Sequence, residues 1–195
     1  MRRVLLPILA VLSLGVVLVV GLGQASGGDE PERGGAQRFS LASAQERLAG
    51  APAPLAALHA QANELLPGGE RAFSARLRAL RGHPVVVNKW ASWCGPCQAE
   101  FPFFQEVATR RGKSVAFVGV DSDDSSSEAR TFLRDHPIPF PSYEDPDKKI
   151  AGRFGRMGLP TTIFLDERGE QVFLHQGQYR SSAALAADVD RYLTR

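Results

Sequence analysis

VVVNKWASWCGPCQAEFP, residues 85–102, holds both cysteines of the 195-residue chain, Cys94 and Cys97, with two residues between them. Its first six residues, Val85–Trp90, read as a strand buried on both faces, rich in β-branched side chains. The strand runs directly into Cys94, and Pro96 suits the first positions of a helix expected to reach about Arg111. Cys94 is thereby placed at a helix N-terminus, where free N–H groups and the helix dipole favour thiolate over thiol. Such settings lower a cysteine pKa to roughly 3.5–7.5 from about 8.5. Cys97, one turn along, is placed to resolve a mixed disulfide formed at Cys94.

Two other readings of the pair compete with redox chemistry. A structural disulfide gains most from closing a long loop, and this one would enclose only two residues. A closed zinc site needs four ligands, typically a second pair at short spacing. His59, His83, His136 and His175 are scattered singly, so no metal site is expected.

Outward from the cysteines, elements alternate. Phe73, Leu77 and Leu80 sit at helical spacing before Gly82 and Pro84. Strand is expected over 114–121, helix over 126–136 and a short helix in IAGRFG. Strands come next in TTIFLD and QVFLHQG, joined by an ERGE turn, and an amphipathic helix closes the chain over 182–193. This order predicts an α/β fold with a central mixed sheet flanked by helices. Upstream, SLASAQERLAG (Ser43 and Glu46 at capping-box spacing) and APLAALHAQANELLPGG read as two short helices, broken at Pro52–Pro54 and Pro67–Gly69. No chemistry attaches to them, and His59 is expected at the surface.

The N-terminus differs in kind. Arg2 and Arg3 precede an uncharged apolar run, Val4 to Gly23. As a helix it would reach about 30 Å, a bilayer's hydrocarbon thickness, whereas a cleaved signal peptide has an apolar core of roughly 7–15 residues. An uncleaved anchor is therefore expected over 1–23, although small residues at Gly23 and Ala25 would also permit cleavage after Ala25. The two arginines keep the short N-terminus cytoplasmic and export the rest of the chain. Residues 24–40 read as a flexible linker, 41–69 as a helical extension and 70–195 as the α/β domain. The net charge of +2 equals the contribution of Arg2 and Arg3, leaving 21 basic against 21 acidic residues, so no electrostatic grip on nucleic acid is expected.

WASWCGPC resembles the active site of thioredoxin-fold oxidoreductases, and the wider match, roughly Ala72 to Leu193, is similar to the exported, membrane-anchored TlpA/ResA-like family. Pro102 stands where that family kinks its long active-site helix. GLPTT places Pro160 where the family carries a cis-proline facing the cysteines, and LRGHPVVVN resembles the entry into its first core strand. The resemblance does not extend to 41–66. It implies a thioredoxin-like fold and a thiol–disulfide oxidoreductase with Cys94 as nucleophile, Cys97 as resolving cysteine and Glu100 assisting proton transfer. Trp93, Gly95, Pro96, Leu159, Pro160 and Thr161 would meet the client. No bound cofactor is required, since the dithiol carries two electrons.

Asn88 stands where ordinary thioredoxin has a buried acid, and an amide cannot take a proton at neutral pH. Glu100, three residues past Cys97 on the same helical face, is the acid–base candidate; a solvated helix glutamate is the competing reading. Trp90 and Trp93 are open to simple packing as well as to shielding the thiol. Gly95–Pro96 and the resemblance favour a reductase of exported proteins. Such a reductase would be recharged by a CcdA- or DsbD-like membrane donor, with cytochrome c maturation as one pathway. A copper-delivery or client-binding module with the same fold is the alternative, with His136 and His175 as its candidate ligands.

Overall fold

A computed structural model of the chain describes residues 39–155 and 158–194. The expected anchor over 1–23, and the linker through residue 38, lie outside the described residues. Among the described residues no helix is long and apolar enough to cross a membrane.

Thirteen elements succeed one another in these residues: α1 (Leu41–Leu48), α2 (Ala53–His59), β1 (Leu65–Leu66), α3 (Gly69–Ala79), β2 (Val85–Trp90), α4 (Gly95–Arg111), β3 (Ala116–Ser122), α5 (Ser126–Asp135), β4 (Ser142–Asp145), α6 (Lys149–Arg153), β5 (Thr161–Leu165), β6 (Gln171–Gln176) and α7 (Ser182–Leu193). The sheet order is β1-β4-β3-β2-β5-β6. β1, β4, β3 and β2 run parallel, while β5 pairs antiparallel with both β2 and β6. This is the mixed α/β sheet that the order of elements predicts, in the thioredoxin-like form that the resemblance implies.

All six residues of β2 are buried, because helices cover both faces of the central sheet. Val86, Trp90 and Phe164 face Phe101 and Phe104 of α4, Phe132 of α5 and Leu185 of α7. Val85, Val87, Val118 and Ile163 face Leu55 and Leu58 of α2, Phe73 and Leu77 of α3 and Ile150 of α6. Alternation along each strand delivers successive side chains to opposite faces.

Three upstream expectations need correction. Leu65 and Leu66, expected at the end of a helix, form β1 beside Ser142 and Tyr143. The two-residue strand offers no alternating pattern, and its pairing is specified by a chain segment 77 residues away. The segment 41–69 thus supplies two helices and an edge strand of the sheet. His59, expected at the surface, is buried; burial lowers its pKa, and a hydrogen bond with the Gly112 backbone opposes that shift. Gly112 permits this packing, since a Cβ there would lie 2.6 Å from Leu48 Cδ2 and 3.2 Å from His59 Nε2.

Candidate active site

β2 ends at Trp90, and Ala91–Trp93 deliver the chain to α4 with Cys94 as its N-cap. The Cys94 Sγ accepts the Cys97 backbone N–H over 3.3 Å. A sulfur thus takes the place that a Ser or Asp oxygen usually holds at a helix start. The two cysteines form a disulfide with Cα atoms 5.2 Å apart. Cys94 retains 5 % exposure and Cys97 none, so an incoming disulfide meets Cys94 first. Gly95 and Pro96 lie exposed beside it, and Pro102 sits inside the helix.

The loop before Cys94 is held from the end of β3. The Ser92 N–H donates to Asp124 Oδ2 over 2.5 Å, and the Trp93 indole N–H donates to the Asp123 carbonyl over 2.9 Å. Gln98 closes the loop from the other side, donating to the Ser92 carbonyl over 2.8 Å. Behind Asp124 lies buried Asp121, pushed up to about 8 by burial first and then by Asp124, Glu144 and Asp145. Sequence reading missed both aspartates, because no motif marks them and only the β2–β3 pairing brings them here.

Glu100 is fully buried, which removes the solvated-helix reading. Its Oε1 accepts from Asn88 Nδ2 over 2.8 Å and its Oε2 from the Tyr179 backbone N–H over 3.0 Å. Burial pushes its pKa up to about 7, against the lowering effect of those two bonds. A carboxyl with such a pKa exchanges protons near neutral pH. Tyr179 is itself fixed by its hydroxyl, which donates to Asp188 Oδ2 over 2.7 Å, and by stacking on His175 at 4.0 Å between ring centroids.

The Leu159–Pro160 peptide bond is cis. Leu159 packs against the same core cluster that contains Cys94 and Cys97. Pro160 and Thr161 are buried, and the Thr161 hydroxyl lies 2.6 Å from the Gly158 carbonyl and 3.2 Å from Gln176 Oε1 of β6, acceptors within the protein. Leu159 and Trp93 together line a groove of about 750 Å³, with Lys89, Asp123, Lys148 and Gly158 completing its wall. Trp93 is 59 % exposed there, a large apolar surface presented next to Cys94. Of the residues expected to meet the client, Trp93, Gly95, Pro96 and Leu159 present accessible surface, whereas Pro160 and Thr161 are buried.

His136 packs at a tilt of 35° against Phe132, 4.6 Å between ring centroids, and His175 stacks on Tyr179. Among the described residues no three His, Cys, Asp or Glu side chains are grouped to hold a metal ion.

Known proteins share this arrangement. The chain matches the model of the AhpC/TSA family over residues 50–171, more than half its length and starting upstream of the resemblance visible in the sequence. It is 32% identical over 97 residues to the thiol-disulfide oxidoreductase ResA of Bacillus thuringiensis (strain Al Hakam), a stretch covering 49% of this chain and 56% of that relative. The chain therefore spans little more than half the length of that relative. Among solved structures, a secreted Mycobacterium tuberculosis disulfide oxidoreductase homologous to E. coli DsbE is 25% identical, with a TM-score of 0.54 over 58% of this chain and 85% of that one. A DsbF homologue from Corynebacterium diphtheriae is 28% identical, with a TM-score of 0.51 over 59% and 75%. The sheet order, the Cys94–Cys97 pair at the start of α4 and the family match over 50–171 lead to one assignment: the chain belongs to the AhpC/TSA family.

Proposed function

We propose that this protein is an extracytoplasmic, membrane-anchored thiol–disulfide oxidoreductase that reduces disulfides in exported client proteins. The observation carrying this reading is the placement of a slightly exposed Cys94 and a fully buried Cys97 and Glu100 along the first turns of one helix. In the reduced protein, the Cys94 thiolate attacks a client disulfide, forming a mixed disulfide and releasing one client thiolate. The Cys97 thiol then gives its proton to Glu100 and its sulfur attacks Cys94. That step re-forms the Cys94–Cys97 disulfide and releases the second client sulfur, which takes up a proton. Two electrons pass to the client, and no bound cofactor is needed to carry them. A membrane protein of CcdA or DsbD type would return those electrons, with apocytochromes c among the clients. Trp93 and Leu159, lining one groove beside Cys94, are the surface on which an extended client segment would lie.

Insulin reduction by the purified chain with excess dithiothreitol tests this reading. Precipitation of the insulin B chain is expected to start well ahead of the dithiothreitol control. Stoichiometric copper binding with insulin left intact would instead place the protein among metal carriers.

The location rests on Arg2 and Arg3 before the uncharged run from Val4 to Gly23. A reporter that is active only in the cytoplasm, fused after Arg195, is expected to be silent. An active reporter would put the domain on the other side of the membrane.

A further inference from the structure

Two carboxyls stand behind the loop that delivers Cys94, and they are too close for both to be charged. Asp121 is opposite Trp90 in the β2–β3 register and is buried. Asp123 takes a left-handed φ of 63°, and beyond it Asp124 comes within hydrogen-bond reach of the Asp121 carboxyl. Two carboxylates at that distance repel, so the pair holds a proton. The surroundings decide which of them carries it. Asp124 accepts two backbone N–H groups, from Ser92 at Oδ2 over 2.5 Å and from Ser125 at Oδ1 over 2.8 Å. Negative charge on Asp124 strengthens both bonds. Asp121 Oδ1 is buried and receives no hydrogen bond among the described residues, so a charge on Asp121 would go unsolvated. The proton therefore belongs on Asp121, whose O–H donates to Asp124.

We propose that Asp121 and Asp124 form a proton-sharing clamp that positions the Cys94 loop and the Trp93 ring for the client. Asp121 donates to Asp124, Asp124 holds the Ser92 N–H, and the Asp123 carbonyl between them holds the Trp93 indole. Loss of the shared proton sets two carboxylates against each other. Asp124, the less buried of the two, then turns toward solvent and releases Ser92. The Asp123 carbonyl moves with it, and Trp93 loses the bond that fixes its ring beside the groove. Asp121 and Asp124 are positioning residues; they act through Ser92 and Trp93.

The neighbouring charges favour the protonated pair. Glu144, opposite Asp121 on β4, pairs with Arg130 of α5 at 3.0 Å, and Asp145 accepts the Ile150 and Ala151 N–H groups. Both still raise the cost of a charge on Asp121. Asp123 is paired with Lys148 at 2.7 Å, and Glu128 of α5 accepts the Ser125 hydroxyl. Lys89, one residue before Trp90, projects from the opposite face of the sheet. Burial, with Asp124 next, pushes Asp121 up to about 8, so the clamp opens as pH rises through that value.

The inference rests on the Cys94 loop being the place where the client docks, but its first test needs no turnover. The oxidised full-length chain, whose cysteines do not titrate, would be labelled with 5-fluorotryptophan. Its two tryptophans give two ¹⁹F signals, assigned with Trp93→Phe. The Trp93 signal is expected to shift with a midpoint near 8, together with loss of the infrared carboxylic-acid band that Asp121→Asn removes. Asp121→Asn places an amide N–H where the acid O–H donates, so its Trp93 signal is expected to stay at the wild-type low-pH position throughout. In insulin reduction, the wild-type KM divided by that of Asp121→Asn is expected to climb about tenfold from about pH 7 to 9, the worth of one charge-assisted hydrogen bond. Every other titrating group is common to the two proteins, so the ratio isolates Asp121. A wild-type Trp93 signal without that inflection, an inflection kept in Asp121→Asn, or a KM ratio indifferent to pH overturns the clamp. Failure to reduce insulin at any pH would instead overturn the proposed function and leave the Trp93 titration to decide the clamp.

Discussion

Replacing Cys94 by serine should bring disulfide reduction down to the dithiothreitol background, because of the two sulfurs only this one is reachable from solvent, and it caps α4. Cys97→Ser should also stop turnover, by a different route. The mixed disulfide with Cys94 would form and then persist, since the buried resolving sulfur is gone. Non-reducing gels of cells carrying Cys97→Ser should therefore show covalent adducts that disappear in the double Cys94→Ser, Cys97→Ser variant. Adducts formed through Cys97 in the Cys94→Ser variant would reverse the assigned roles. The asymmetry comes from the helix: Cys94 Sγ receives a backbone N–H and the positive end of the dipole, whereas Cys97 sits within the first turn, in the core cluster it shares with Trp90 and Phe101.

Glu100→Gln should slow exchange near neutral pH by about 10²–10⁴-fold, the usual worth of a positioned general base. The amide keeps the volume of the carboxyl and can still accept the Tyr179 N–H, so the fold should survive. Measured against pH, the wild-type resolving step should rise through about 7, where Glu100 ionises, and the variant should lack that inflection. Stability provides a second readout. The folded pKa of about 7 lies above the ordinary 4.5, so the folded protein holds its proton more tightly than the unfolded chain. The associated stability is present in full below about pH 4.5, declines as pH rises toward 7, and is flat beyond. At 1.36 kcal/mol per unit, that decline is roughly 3 kcal/mol, and denaturant melts of oxidised Glu100→Gln should fall with pH by about that much less than wild type, the remaining decline coming from Asp121, raised to about 8. A variant matching wild type in rate, inflection and melts would leave Glu100 a structural residue.

The elements that carry the cysteine pair were legible because they are local. A β-branched strand, the Cys94–Cys97 spacing and a proline in the first turn are read within one short stretch, and the structure places them as a strand, an N-cap and a helix. The helix expected over 126–136 is found at Ser126–Asp135, and the closing helix spans Ser182–Leu193 as its apolar spacing indicates. Elements that owe their existence to distant partners were not legible. Ser142–Asp145, with the sequence SYED, shows no strand pattern and becomes β4 by pairing between β3 and β1.

The cysteine pair and the candidate acid could thus be named from residue order, since neighbours in the chain create the helix terminus that Cys94 caps. The state of Glu100 could not, and the assembled fold alone settles it. Its pKa depends on water removed by packing, on an amide from β2, and on a backbone N–H donated 79 residues along the chain. Burial and long-range donors are properties of the sheet and helices once packed together, and no local pattern of residues encodes them.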